Sequence, residues 1–223
     1  QEVDPRLPVL LLQFTFVFCG ITFWGFNRSP AQVGLILAVC VALDCTLHYL
    51  LRKKTLLVPI SGLITGLGLS VLTNFSHGLW LALVPPFFAT ASKYVFTVNG
   101  RHIYNPGLFG VIAALVLSDG MITPAPAYQW GGAGVTAFFI ATAALMLFAL
   151  NIRRSVLIVS FLAFYAMQLG LRAWLLRHHI PPQTLFMGAF SSPAFYLFTF
   201  FMITDPPTSA ESRKGQVFMA FFI

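Results

Sequence analysis

Apolar residues in this chain fall into long runs separated by short polar or basic turns, near residues 8–26, 31–51, 56–73, 79–98, 104–118, 132–150, 155–176 and 184–203. A ninth run begins near Gln216 and is cut off. A hydrocarbon core about 30 Å thick needs roughly 20 apolar residues per helix, so each run predicts a membrane span. Inside lipid the backbone must satisfy its own hydrogen bonds, which selects helices; barrel strands would alternate in polarity, and these runs do not. The first run, Pro8 to Phe26, is about 19 residues long and lacks a small-residue cleavage pattern. It is therefore predicted to be a retained span and not a signal-peptide core.

Two runs carry glycines, hydroxyls or prolines that break the pattern. The third reads Pro59-Ile-Ser-Gly-Leu-Ile-Thr-Gly-Leu-Gly-Leu-Ser70 and passes into Thr73-Asn74-Phe75-Ser76-His77-Gly78. The eighth runs from Ser191-Ser192-Pro193 to Phe200-Phe-Met-Ile-Thr-Asp-Pro-Pro-Thr-Ser209. They lie five spans apart and point in opposite directions, the relation given by two inverted five-helix repeats with discontinuous helices. The expected fold is an all-α integral membrane domain of nine to ten helices. Its first repeat covers 1–131 and its second, cut short, covers 132–223. A chain without an initiating methionine that stops inside an apolar run is expected to continue beyond one or both ends, and a tenth helix is expected there.

Composition sharpens this picture. Of the 223 residues 58% are hydrophobic and 9% charged, and the mean hydropathy is +0.84. A soluble domain carries about 25% charged residues, so a soluble enzyme, a nucleic-acid binder and a disordered chain are excluded as classes. The net charge of +7 has a topological explanation. Alternate threading of the spans puts Arg6, Arg52, Lys53, Lys54, Arg101, Arg153, Arg154, Arg213 and Lys214 on one side, against Arg28 and Arg177 on the other. This bias places the N-terminus in the cytoplasm. Cys19, Cys40 and Cys45 all sit in apolar runs without metal-ligand spacing, so neither a disulfide framework nor an iron–sulfur site is expected.

Four polar groups are candidates for chemistry. Asp44 and His48 stand at i, i+4 on the second span, either as a structural pair or as part of a proton or ion path, since an ionisable side chain in a membrane is costly. Lys93, near the cytoplasmic end of the fourth span, either snorkels to that interface or faces an anionic or redox cofactor. In Val98-Asn-Gly-Arg-His-Ile-Tyr-Asn-Pro-Gly-Leu-Phe-Gly110, Asn105 can cap a helix that has Pro106 in its first position. Arg101 and His102 immediately before it suit a phosphate or flavin, or simply mark the interface. Finally, Thr204 and Asp205 occupy the turn Met202-Ile-Thr-Asp-Pro-Pro-Thr-Ser209, where hydroxyls and an Asx-type turn can satisfy exposed backbone. The chain has no Walker loop, H-E-x-x-H or paired-carboxylate motif, and six acidic residues leave little material for hydrolysis.

Three of these stretches, Ile60-Ser-Gly-Leu-Ile-Thr-Gly-Leu-Gly-Leu-Ser70, Gly100-Arg-His-Ile-Tyr-Asn-Pro106 and Phe200-Phe-Met-Ile-Thr-Asp-Pro206 with Lys214-Gly215 behind it, occur in the order and spacing of one family. The chain resembles the RnfD/NqrB family, whose members are membrane proteins of Rnf electron-transport complexes and of sodium-pumping NADH:quinone reductase, together with the shorter UnbU-like proteins. The phenylalanine-rich third stretch and Gln129-Trp130-Gly131 look closest to the UnbU-like branch. The resemblance implies a ten-helix protein of a bacterial inner membrane. Such a protein holds a flavin or quinone between its two halves and works beside other membrane subunits of an electron-transfer assembly. Lys93, Arg101, His102, Asn105, Thr204 and Asp205 are the cofactor-binding residues this implies. Family members with covalent FMN carry Ser-Gly-Ala-Thr after the fifth span; here the stretch is Ser118-Asp-Gly-Met-Ile-Thr-Pro-Ala-Pro-Ala-Tyr-Gln-Trp130, with Thr123 as its only threonine. Noncovalent riboflavin, FMN or a quinone is the expected ligand, and covalent FMN is not. The competing expectations are a solute channel or transporter on the same fold, or a cofactor-free structural or assembly subunit.

Overall fold

The computed structural model describes residues 6–26, 28–53, 59–75, 79–98, 101–124, 134–135, 137–138, 140–142, 154–190, 195–196, 198–204 and 209–223. The chain divides into two compact units, Gln1–Gln129 and Trp130–Ile223.

In the first unit, α1 spans Arg6–Phe23 and α2 spans Pro30–His48. The start of α2 is set by a capping box: the Ser29 hydroxyl accepts from the Gln32 N–H at 3.2 Å, and the Gln32 side chain accepts from the Ser29 N–H at 3.0 Å. Pro30 fills the first position, where no intrahelical N–H is needed. The helix then widens into a π-turn at Tyr49–Lys53. Helix α3, Ile60–Leu72, lies against α2 through a small-residue face. A Cβ at Gly62 would stand 3.3 Å from the Asp44 Cβ, and one at Gly66 would stand 2.9 Å from Leu37 Cδ2, so both glycines are what permit this approach.

The strand β1, Thr73–Phe75, follows directly, and a 3₁₀ turn at Leu79–Leu83 leads into α4, Val84–Val95. A hairpin of β2, Thr97–Val98, and β3, Arg101–His102, joins α4 to α5, Pro106–Leu117. Strand β4, Ile122–Pro124, returns to β1 antiparallel, with Asn74 opposite Thr123. The pairing brings the far ends of α3 and α5 to one side. Arg28 closes the same end: its Nη1 donates to Asn74 Oδ1 at 2.8 Å and its Nε to the Ser70 carbonyl at 3.3 Å. Burial lowers the Arg28 pKa to about 10. Between these ends Ile36, Cys40, Leu69, Leu81, Ala89, Val111, Ala114 and Ile122 form the core.

In the second unit the described elements are α6, Ser155–Leu175; α7, Pro182–Phe190; a π-turn at Phe198–Met202; and α8, Arg213–Phe222. Leu157 and Phe161 of α6 pack with Phe195, Ile203 and Ala220. Around them the rings of Phe161, Tyr165, Phe190 and Phe195 stack or meet edge to face, with Tyr165 and Phe195 centroids 4.8 Å apart.

Among the described residues the fold is all-α apart from two short strand pairs. Among the described residues three helices are long and apolar enough to cross a membrane: Arg6–Phe23, Pro30–Arg52 and Ser155–Leu175. Phe14, Phe18 and Phe23 of α1 and Met167, Leu171 and Trp174 of α6 stand exposed, as suits a lipid bilayer. Three is fewer than the nine to ten helices expected. The difference arises because hydropathy continues through non-helical backbone. The run at 56–73 yields a 13-residue helix that ends in β1, and those at 79–98 and 104–118 yield 12-residue helices flanked by a 3₁₀ turn and strands. At 1.5 Å per residue such helices reach only about 18–20 Å. In the run at 184–203, residues 191–194 and 197 lie outside the described residues, as does most of 132–150.

Candidate functional site

The charged side chains that matter most in the first unit meet where α2, α3 and α4 converge. Lys93 occupies the last turn of α4, where a cation complements the helix dipole, yet only 4% of its side chain is exposed. Its ammonium lies 3.0 Å from Ser61 Oγ and 3.2 Å from the Ser61 carbonyl at the start of α3, and 3.7 Å from Asp44 Oδ1 on α2. The Tyr94 hydroxyl stands 2.9 Å from both the Asp44 carbonyl and Oδ1. Arg52 covers the Tyr94 ring at 5.2 Å and donates to the Lys93 carbonyl at 3.4 Å. Asp44 Oδ2 is buried and has no hydrogen-bond partner among the described residues.

This arrangement corrects the pairing of Asp44 with His48. The i, i+4 spacing does place both on α2, but among the described residues the ion pair of Asp44 is with Lys93, and His48 is only partly buried at the helix end. An isolated carboxylate inside an apolar packing is too costly, and the nearest cation that can be desolvated with it comes from α4. Nor does Lys93 snorkel, since its head group is enclosed with its stem.

His102 comes close to this pair through the β2–β3 hairpin, in which it stands opposite Thr97. It is partly buried, its Nδ1 has no hydrogen-bond partner among the described residues, and its pKa is lowered, first by burial and then by the positive charge of Lys93. Arg101 takes its place in β3 opposite Val98. Asn105 caps α5, its Oδ1 accepting from the Leu108 N–H at 3.1 Å, with Pro106 in the first position as the sequence predicts. Its side chain is thereby committed to the helix.

Thr204 belongs to the second unit, where its hydroxyl donates to the Phe200 carbonyl at 2.6 Å. Asp205 lies outside the described residues. The structure thus brings Asp44, Lys93 and His102 together in one unit and leaves Thr204 engaged with its own turn. Ser61 and Tyr94 are not singled out by the sequence, and Arg52 stands out there only as a topological charge. Ser61 lies in the first family-like stretch and Tyr94 next to Lys93, but a contact between residues 32 positions apart leaves no periodic trace.

No protein-family model matches the chain, and no curated protein matches it either.

Proposed function

We propose that the chain is an integral membrane component of an electron-transfer complex, of the RnfD/NqrB type and nearest its UnbU-like branch, that holds a noncovalent flavin or a quinone. The observation that carries this reading is the position of Lys93. Its ammonium is held by Ser61 of the first family-like stretch, and its charge acts on His102 of the second. Two segments that resemble the family in sequence therefore share one cation in space. A cation–carboxylate pair in a low-dielectric site carries no net charge at rest, and its cation can turn toward an anion that forms when a redox ligand is reduced. In this reading the short helices α3 to α5 are half-helices of an inverted-repeat fold with ten helices in all. The N-terminus then faces the cytoplasm of a bacterial inner membrane.

The test is purification in a detergent that preserves the assembly, followed by absorbance and extraction. Flavin or quinone that co-purifies with the wild type and is depleted by Lys93→Met supports the proposal. An intact assembly with neither ligand overturns it in favour of a cofactor-free structural role. Asp44 Oδ2, buried with no hydrogen-bond partner among the described residues, favours a second reading, an ion or proton path without redox chemistry. Proteoliposomes showing cation flux that Asp44→Asn abolishes, with no bound cofactor, would establish it.

A further inference from the structure

In the second unit two helices begin side by side. Arg154, which precedes α6, donates through Nη1 to the carbonyl of Ala210 at 2.7 Å, and the Leu157 N–H donates to Oε1 of the buried Gln216 at 3.2 Å. Further along both helices, the Phe164 and Phe221 rings meet edge to face at 5.4 Å. The contacts advance in the same direction, so α6 and α8 run parallel and their N-termini lie together. Each N-terminus carries partial positive charge. Arg154, Arg213 and Lys214 add three full charges there, and the exposed Glu211 is the one acid at this end among the described residues. Cations in the first turn of a helix oppose its dipole, so this end keeps more positive charge than Glu211 offsets. The Ser209 hydroxyl, on a residue more than nine-tenths buried beside Ala210, has no hydrogen-bond partner among the described residues.

A shallow, open groove of about 540 Å³ begins in the first turn of α8, lined by Arg213 and Lys214 together with Phe164, Val217, Phe218 and Phe221. We infer that the groove binds an anionic phospholipid, its phosphate against Arg213 and Lys214 and one acyl chain along the phenylalanines. Charge and shape each exclude simpler occupants. A free anion leaves the aromatic groove empty, and a zwitterionic lipid gains little from the concentrated positive charge. Basic sites between helices at a membrane surface hold acidic head groups on this principle.

The experiment is native mass spectrometry of the protein as purified, from nanodiscs of phosphatidylcholine containing phosphatidylglycerol. The wild type retains phosphatidylglycerol in preference to phosphatidylcholine, and sodium chloride weakens that preference. Arg213→Gln/Lys214→Gln lowers the preference roughly thirty-fold, on the order of one membrane-surface increment per charge removed. Phe218→Ala shortens lipid residence but keeps the head-group preference. Equal retention of the two lipids by the wild type overturns the inference, as does a preference insensitive to salt. Inorganic phosphate that competes as well as the whole lipid, or a protein segment crosslinked into the groove in place of lipid, overturns it too. The salt series needs only the wild type, so a double variant that fails to fold leaves the test intact.

Discussion

Replacing Lys93 by Met removes one half of a buried charge pair and leaves the other in place. At 3.7 Å the ammonium and Asp44 Oδ1 attract by about 4 kcal/mol if the effective dielectric constant is about 20. The same substitution removes both hydrogen bonds to Ser61, and among the described residues the Asp44 carboxylate keeps only the Tyr94 hydroxyl. Most of the attraction in the intact pair is offset by the cost of desolvating two ions, so the pair itself contributes little net stability. Leaving one ion behind exposes that cost, and the expected loss is about 3–5 kcal/mol. Asp44→Asn leaves the ammonium with both Ser61 oxygens and should fall at the lower end, about 3 kcal/mol. The double variant Asp44→Asn/Lys93→Met removes both charges and should be more stable than Lys93→Met alone. The assay is denaturant unfolding of all four proteins in the same micelles, followed by tryptophan fluorescence and assembled into a double-mutant cycle. A loss below about 1 kcal/mol for Lys93→Met would show that the pair behaves as a hydrated surface bridge. Additive single effects would equally refute the reasoning.

Three further outcomes follow from local geometry. A Cβ at Gly110 would stand 2.5 Å from the Pro85 carbonyl and 2.7 Å from the Ala89 Cβ, so Gly110→Ala should force α4 and α5 apart. The cost should be about 1–3 kcal/mol in the same unfolding assay. Gln216→Leu leaves the Leu157 N–H buried without its acceptor and should lose about 1–3 kcal/mol, first seen as faster amide exchange at the start of α6. Because His102 binds its proton less readily in the folded protein than the ordinary 6.5 implies, the unfolded chain takes up more protons just below that pH. Stability should therefore fall as pH drops through 6.5 toward the lowered folded-state value, and His102→Asn should flatten that part of the profile.

Features that depend on near neighbours are legible in the sequence. Asn105 and Pro106 announce the start of α5 because a cap involves four consecutive residues, and the apolar runs that form α1, α2 and α6 match those helices almost to their ends. Features that depend on distant partners are not. Strand β1 looks like a polar turn after a helix, and only Ile122–Pro124 makes it a strand. Asp44 has an obvious local candidate in His48, but the ion pair forms with a residue 49 positions away because three helices with glycines between them bring α4 close. The candidate site is half visible for the same reason: Lys93 and His102 stand out by their chemistry, whereas Ser61 and Tyr94 acquire meaning only from what they touch.

The pairing of β1 with β4 also bears on how the protein is made. A nascent chain emerges from its N-terminus, and helices of 12 or 13 residues offer the insertion machinery less apolar length than a full span. Thr73 has no strand partner until Pro124 has been synthesised, so β1 cannot be paired when its own residues leave the ribosome. The segment between them stays unclosed at this end until β4 pairs with β1. A translation pause or truncation just before Ile122 should therefore leave α3, α4 and α5 together as a substrate for membrane quality control, whereas α1 and α2, already complete, should remain inserted.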